Sequence, residues 1–522
     1  MKNIRYILFL GLFCLCLGSC EQKEFDYVVP NPEISFLNSN ATRTGVPGGT
    51  VRVRFTAQSV SEVSSVVVTE QINGGSISEL ETITDFNNPI QSDITFTYLI
   101  STTAQSGDVI ALNFAITDQN GESTQSNTFT INIVDALFIL DTIDINGEEV
   151  IEISAPAEAS SAIINDESFV FATGNKYLLT GEVRVEEDIS ITAEPGAEIY
   201  ANTTVPALAV LRVPQGAQMD AQGTQENPIV MTSDKVLRGE TPAAGDWQGL
   251  RIDGDASNAE SNSGTYRYIR VEYAGQEGED TTAGFLFINV GSGTTIEFLQ
   301  GYESAGFAFR FDGGTARARY LVGTNAAESV FRFDDEDDVP FQGELQFLVA
   351  QVNIPREEEM IEIREAFPTL ANVTILGRAD FATVEGDEDA LRIRDGSLGY
   401  RIVNMSVSQI ADDAARVQLP DPSDLNGDRF IAHSYFFDIE DDIFRDEGGD
   451  LANPEYNNTV GTAINGITGI EFAPTSEVTS TYNPQTLSSW FMEATFVGAI
   501  RDAASDWTAD GEWCKNSDGT IR

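Results

Sequence analysis

The chain is poor in the residues that most often carry chemistry or staple a fold. Of its four cysteines, Cys14, Cys16 and Cys20 crowd into the first twenty positions and Cys514 stands far from them. A chain processed just before Cys20 and acylated there cannot close an intramolecular disulfide. A single histidine, His433, excludes zinc sites built from several histidines, although a triad that needs only one stays open. Basic residues are scarce as well: 30 Lys and Arg face 82 Asp and Glu, for a net charge of −52. Phosphate-rich partners are drawn to basic surfaces, so nucleic acid and anionic lipid are excluded as ligands of this one. Beyond the N-terminus no apolar run is long enough to cross a bilayer, and strand-like alternation prevails over helical periodicity.

What is present begins with an export signal. Lys2 and Arg5 precede an apolar stretch from Ile7 to Leu17, which closes on Leu17-Gly18-Ser19-Cys20. Such a segment is a signal peptide, too short for a stable spanning helix. Its last four residues resemble a bacterial lipobox, which implies acylation of Cys20 and attachment to a membrane through the lipid anchor. The next six residues, Glu21-Gln22-Lys23-Glu24-Phe25-Asp26, are similar to the acidic tag that sends Bacteroidetes lipoproteins to the outer face of the outer membrane, and also read as a plain solvated tether. Residues 1–20 are therefore assigned to the signal and residues 21–30 to the tether.

Residues 31–135 read as short alternating strands: Glu33 to Leu37, Thr50 to Thr56, Ser64 to Glu70, Ile94 to Ile100, Val109 to Thr117 and Thr128 to Val134. Turn clusters such as Pro47-Gly48-Gly49 separate them, and the pattern predicts an immunoglobulin-like β-sandwich acting as a spacer. Residues 136–164 are expected to be a linker or the N-terminal cap of a second domain.

From about residue 165 the period changes. Ile191 to Ile199 recurs as Leu211 to Met219, each a strand, a glycine corner and another strand. A second unit recurs as Phe309-Arg310-Phe311, Phe331-Arg332-Phe333, Ile361-Glu362-Ile363, Leu391-Arg392-Ile393 and Ala415-Arg416-Val417. Alternation along a strand sends the flanking apolar pair into a core and the central residue outward. Repeats of this kind predict a right-handed parallel β-helix over residues 165–500, with a C-terminal cap at 501–522. A string of sandwich domains is the rival fold; its strands reverse direction and would not return equivalent residues to one face.

Glu226 to Ser233, Gly245 to Ile252, Tyr268 to Gly275, Phe496 to Ile500 and Asp506-Trp507-Thr508 resemble segments of the β-helix lipoproteins of Bacteroidetes. That resemblance implies an all-β surface protein, commonly working beside a TonB-dependent outer-membrane transporter. The fold is also used by polysaccharide lyases and pectinase-like hydrolases.

If the recurring strands stack, Arg310, Arg332, Glu362, Arg392 and Arg416 form a ladder on one face. Stacked arginines repel unless acids sit among them, so the ladder reads as a structural charge network or as a strip gripping an acidic sugar or peptide. Asp334, Asp335, Asp337 and Asp338, and separately Glu440 to Asp442 with Asp446 and Glu447, offer the carboxylate oxygens that calcium prefers, and solvated loops would show the same composition. An EF-hand reading of Asp424 to Asp428 fails, with Pro422 at the first ligand position and His433 at the last. A hydrolase would use Asp412 and Asp413 near Asp389; a calcium-assisted lyase would use an acid cluster with Arg392 or Arg416 as base. The glycine-histidine-glycine element of pectinases is absent. Trp490, Trp507 and Trp513 suggest capping of an open β-helix end, or a ligand platform. Asp141-Thr142-Ile143 and Asp280-Thr281-Thr282 match a short O-glycosylation pattern. Together these features predict a non-catalytic, outer-membrane surface lipoprotein presenting its β-helix to polysaccharide, peptide or a TonB-dependent transporter; calcium-assisted polysaccharide lyase or pectinase-like glycoside hydrolase is the alternative.

Overall fold

A computed structural model describes residues 30–38, 41–157, 159–276, 278, 282–356, 358–383, 388–419 and 422–522. The signal segment, Cys20 and the acidic tag lie outside the described residues, as do Asp280, Thr281 and Asp387. The chain divides into two compact units between Asp135 and Ala136.

The first unit is a two-sheet β-sandwich. One sheet pairs Glu33–Phe36, Thr50–Gln58 and Gln91–Leu99 antiparallel. The other orders Thr42–Gly45, Phe129–Ile133, Val109–Asp118, Val63–Ile72 and Ile77–Ile83, with Thr42–Gly45 running parallel to its neighbour. Alternation drives the packing: in Thr50–Gln58 every second residue is buried, and the inward residues of both sheets meet around Phe55, Phe114 and Phe129. Ile77–Ile83 escaped the sequence reading because it is an edge strand with nearly every residue exposed, so burial imposes no alternation on it.

The second unit is a parallel β-helix. It opens with an antiparallel hairpin, Ile139–Ile145 with Glu148–Ser154, whose second strand pairs parallel with Lys176–Thr180. The first coil strand starts at Ser161, inside the stretch expected to be linker or cap. From there eleven parallel strands follow one another in a single sheet, from Ser161–Ile164 to Phe444–Asp446.

Parallel register brings identical positions of successive coils together, and the core exploits it. Phe285, Phe309 and Phe331 stack with centroids 5.1 and 5.0 Å apart, and Phe287, Phe311 and Phe333 do so at 4.8 and 5.6 Å. These spacings match the ~4.8 Å between neighbouring strands, so each ring meets the next face to face, offset.

A second column forms where the long strands of the other sheet bend. Tyr268, Phe298, Tyr320, Phe347, Asn372, Asn404 and His433 occupy equivalent positions and all have φ between 48° and 61°. The left-handed conformation turns these side chains out of the strand alternation. Tyr268, Phe298 and Tyr320 stack at 4.4 and 4.3 Å on the outside of the coils.

The C-terminal segment covers that column. Asn404 Nδ2 donates to the carbonyls of Tyr482 and Ala494 at 3.1 Å, Asn372 Nδ2 to Phe496 at 2.7 Å, Gln300 Nε2 to Lys515 at 2.8 Å and Gln225 Nε2 to Ala509 at 2.6 Å. The segment therefore runs back along the flank, and the end cap expected at 501–522 is corrected to a lateral strap. Trp513 is fully buried in it, Trp507 packs on Trp513, and Trp490 lies under the Arg319 guanidinium. Cys514 is buried in the same cluster, and burial pushes its thiol up to about 12. The coil end itself is packed by the short turns Glu447–Ala452 and Pro454–Tyr456, which contribute Leu451 and Tyr456 to the main core. The last paired strand is Thr459–Val460, some forty residues before the expected limit at 500. No helix among the described residues is long and apolar enough to cross a membrane.

Replacing Phe309, the middle ring of one stack, with Ala should remove about 3–5 kcal/mol of stability. Denaturant unfolding followed by circular dichroism checks this.

Candidate functional site

The central residues of the eleven-strand sheet form one outward column. In register from coil to coil stand Ile163, Arg184, Arg212, Arg251, Leu286, Arg310, Arg332, Glu362, Arg392, Arg416 and Arg445. All five ladder residues read from the sequence lie in it. Arg184, Arg212, Arg251 and Arg445 were missed, although Val183-Arg184-Val185, Leu211-Arg212-Val213 and Leu250-Arg251-Ile252 carry the same apolar-arginine-apolar signal; Phe444-Arg445-Asp446 does not.

Acids two positions further along neutralise the column. Asp253 pairs with Arg212 and Arg251 at 2.7 Å each, Asp312 with Arg310 at 2.6 Å, and Asp334 with Arg332 at 2.8 Å. Glu362 pairs with Arg394 at 2.6 Å and lies 3.6 Å from Arg332. The Phe307 ring covers Arg310 and Arg332, 5.3 and 5.0 Å from its centroid. The expected open binding strip is therefore corrected at its middle: Arg310, Arg332 and Glu362 are 7%, 5% and 5% exposed, and Arg392 and Arg416 reach solvent only in part. Burial raises the Asp312 carboxyl to about 6 in spite of Arg310.

The acid run expected to hold calcium has a different role. Asp335 and Glu336 pair antiparallel with Pro340 and Val339, and Asp337 and Asp338 have φ of 51° and 64°, as a two-residue type I′ hairpin requires. The Asp335 carboxylate accepts from the Asp338 amide at 3.1 Å, while Asp334 is drawn to the arginines. Asp334, Asp335, Asp337 and Asp338 thus form an ion-paired strand end and a turn.

Metal-ligand geometry occurs elsewhere. Each of four successive coils carries an acid pair just before its strand: Glu358-Glu359, Glu388-Asp389, Asp412-Asp413 and Asp441-Asp442. The amides of Met360, Ala390 and Ala414 donate to the carbonyls of Asp389, Asp413 and Asp442 at 2.9, 2.9 and 3.0 Å, which places the second acid of each pair in one column. Asp389, Asp412 and Asp413 each offer a ligand oxygen within 4.8 Å of the others, and Asp413, Asp441 and Asp442 do likewise. Burial, then Asp413 and Asp412, push Asp389 up to about 7 against the pull of Arg392 and Arg416. Glu388, buried against Arg356 at 3.5 Å, also rises to about 7 through burial. The acids proposed for hydrolysis do come together, each offering an oxygen within 4.8 Å of the others. His433 Nδ1 faces Asn457 and Thr481 at 3.0 and 3.2 Å, and burial lowers its pKa.

An open groove of about 350 Å³ crosses several coils on another flank, lined by Ser292, Thr315, Arg317, Gln342, Phe367 and Arg401 among others. The Arg401 guanidinium lies over the Phe367 ring, 4.8 Å from its centroid, and Arg317 pairs with Glu344 at 2.8 Å.

Substituting Arg332 with Ala would leave Asp334 and Glu362 buried without their shared partner, costing about 3–5 kcal/mol. The partly exposed Arg416, substituted likewise, should cost no more than about 1 kcal/mol. Chemical denaturation of the two variants in parallel tests this ordering.

The family model described as a pectate-lyase like beta helix domain matches residues 163–468. No curated protein matches the chain. Among solved structures, the pectate lyase PelI of Erwinia chrysanthemi, in complex with tetragalacturonic acid, aligns at 7% identity and a TM-score of 0.14, over 83% of this chain and 98% of that one.

Proposed function

Since the chain belongs to the pectate-lyase-like β-helix family, we propose that it is a non-catalytic surface lipoprotein whose rod presents a lateral groove to a polysaccharide or peptide. In this reading Cys20 carries the lipid anchor, the sandwich is an immunoglobulin-like spacer, and the protein faces the exterior of a Bacteroidetes outer membrane beside a TonB-dependent transporter. The groove carries the proposal. It crosses successive coils, as a polymer lying along the rod would, and it offers polar side chains beside the Phe367–Arg401 stack. Sites of mixed apolar and polar lining suit sugars and peptide segments. The candidate bases argue the same way, because Arg392 leans on Glu359 at 3.8 Å and Arg416 pairs with Asp446 at 3.0 Å.

The second reading, a calcium-assisted polysaccharide lyase or a pectinase-like glycoside hydrolase, is favoured by the family and by the nearness of Arg392 and Arg416 to Asp389. Cleavage needs its acids open to the polymer, whereas Asp389 and Asp413 are 2% and 0% exposed.

The full chain in detergent, incubated with a panel of acidic and neutral polysaccharides with and without calcium, distinguishes the two. Retention on at least one polymer, weakened about tenfold by Phe367→Ala through loss of roughly 1.4 kcal/mol, with no new unsaturated or reducing ends, is expected. Release of such ends would establish the enzymatic reading. Retention unchanged by Phe367→Ala would remove the groove from the account.

A further inference from the structure

The charges of the groove at Phe367 and Arg401 are matched within the protein. Arg317, Glu344, Thr369 and Arg401 hold one register position in four successive coils, so each faces its neighbour about 4.8 Å away. Arg317 is 2.8 Å from the Glu344 carboxylate. Arg401 donates to Asp428 at 2.9 Å and to the Gly427 carbonyl at 3.0 Å, with its guanidinium over the Phe367 ring. Glu260, on the groove wall, is exposed and makes no ion pair among the described residues. The two guanidinium groups therefore stand against three carboxylates.

An acidic polymer would have to win a guanidinium from a carboxylate that already holds it, and to do so against the field of a chain with a net charge of −52. The uncharged groups point the same way. Ser292 Oγ donates to the Ala259 carbonyl at 3.1 Å, and Thr315 Oγ1 donates to the same oxygen. Both hydroxyl protons are spent there, and what these two oxygens offer a ligand is lone pairs. An ionised carboxylate has only acceptors and cannot use them, whereas a sugar hydroxyl both donates and accepts. Gln342 is exposed and its side-chain amide makes no hydrogen bond among the described residues, so it presents a donor and an acceptor together. Because Ser292 and Thr315 share one carbonyl, their oxygens lie close to each other. Neighbouring O–H donors are a property of sugar rings; amides on one face of an extended peptide recur only every second residue, about 6.6 Å apart.

We infer that the groove takes a neutral, hydroxyl-rich glycan and discriminates against polyuronates, an inference that rests on the reading of this groove as the ligand site and narrows its ligand to one class. The glycan lies across the coils, its hydroxyls donating to Ser292 and Thr315 and exchanging hydrogen bonds with Gln342, with its C–H face toward the Phe367–Arg401 stack. A polyuronate in its place leaves the Ser292 and Thr315 oxygens without a donor and sets its own carboxylates beside Glu260. Recognition of this kind uses no free charge, so added salt leaves it unchanged.

Full-length protein in detergent is passed over immobilised neutral polymers (glucan, mannan, xylan and galactan) and over polygalacturonate and alginate, each at low and at raised salt, with Gln342→Ala and Phe367→Ala beside the wild type. Folding of the variants is checked by circular dichroism; Gln342 is exposed, so Gln342→Ala decides should Phe367→Ala fold poorly. The expected result is retention on at least one neutral polymer, equal at both salt concentrations and weakened about fivefold in Gln342→Ala by loss of its hydrogen bonds, with no retention on either polyuronate that depends on Gln342 or Phe367. Retention on a polyuronate that falls with salt and with either variant overturns the inference and leaves the groove as the ligand site. Binding of random-sequence peptides that Gln342→Ala abolishes, with no neutral polymer held, assigns the groove to peptide and overturns the inference also. Neutral polymer held equally by all three proteins, or neither polymer nor peptide held by any, overturns the reading of the groove itself and the inference with it.

Discussion

Parallel strands stacked in register set every side chain against the residue holding the same position one coil above and one below, about 4.8 Å away. Like must therefore be able to sit on like. Phenylalanine satisfies this demand readily, because offset rings attract, and the Phe285–Phe309–Phe331 and Phe287–Phe311–Phe333 stacks fill the core on that principle. Arginine satisfies it only with help. A column running from Arg184 to Arg445 is tolerable because Asp253, Asp312, Asp334 and Glu362 are set among the guanidinium groups.

The same constraint explains why the charged face is more framework than binding surface. An arginine needed by the acid of the neighbouring coil has little freedom to grip a ligand, and the most tightly packed stretch, Arg310 to Glu362, is also the most buried. In the proposed reading, ligand recognition falls to places where the coils diverge from repetition, such as the groove at Phe367 and Arg401.

Much of this fold was legible because the coil repeats. Apolar residues flanking an arginine, as in Phe331-Arg332-Phe333 and Leu391-Arg392-Ile393, carry both the stacking and the ladder in their spacing. What stayed hidden does not repeat. The lateral strap depends on Gln225, Gln300, Asn372 and Asn404 reaching single carbonyls in a segment of irregular chain, and no period in 464–522 announces it. Its tryptophans looked like a cap because burial alone does not say which surface does the burying. The run Asp334 to Asp338 looked like a calcium loop because composition cannot separate a strand end and a type I′ turn from a ligand set. The acid pairs beginning at Glu358, Glu388, Asp412 and Asp441 were visible as letters, but their convergence needed the register.

Engineered cysteines test the stacking itself, in a chain whose Cys514 is buried. Arg392 and Arg416 are register partners with side chains on the same face, so Arg392→Cys with Arg416→Cys should form a disulfide under mild oxidation, read as a mobility shift and loss of free thiol. Arg392→Cys with Val417→Cys places the second thiol in the core and should not. Cross-linking of the second pair in place of the first, or of neither, would contradict an in-register coil stack.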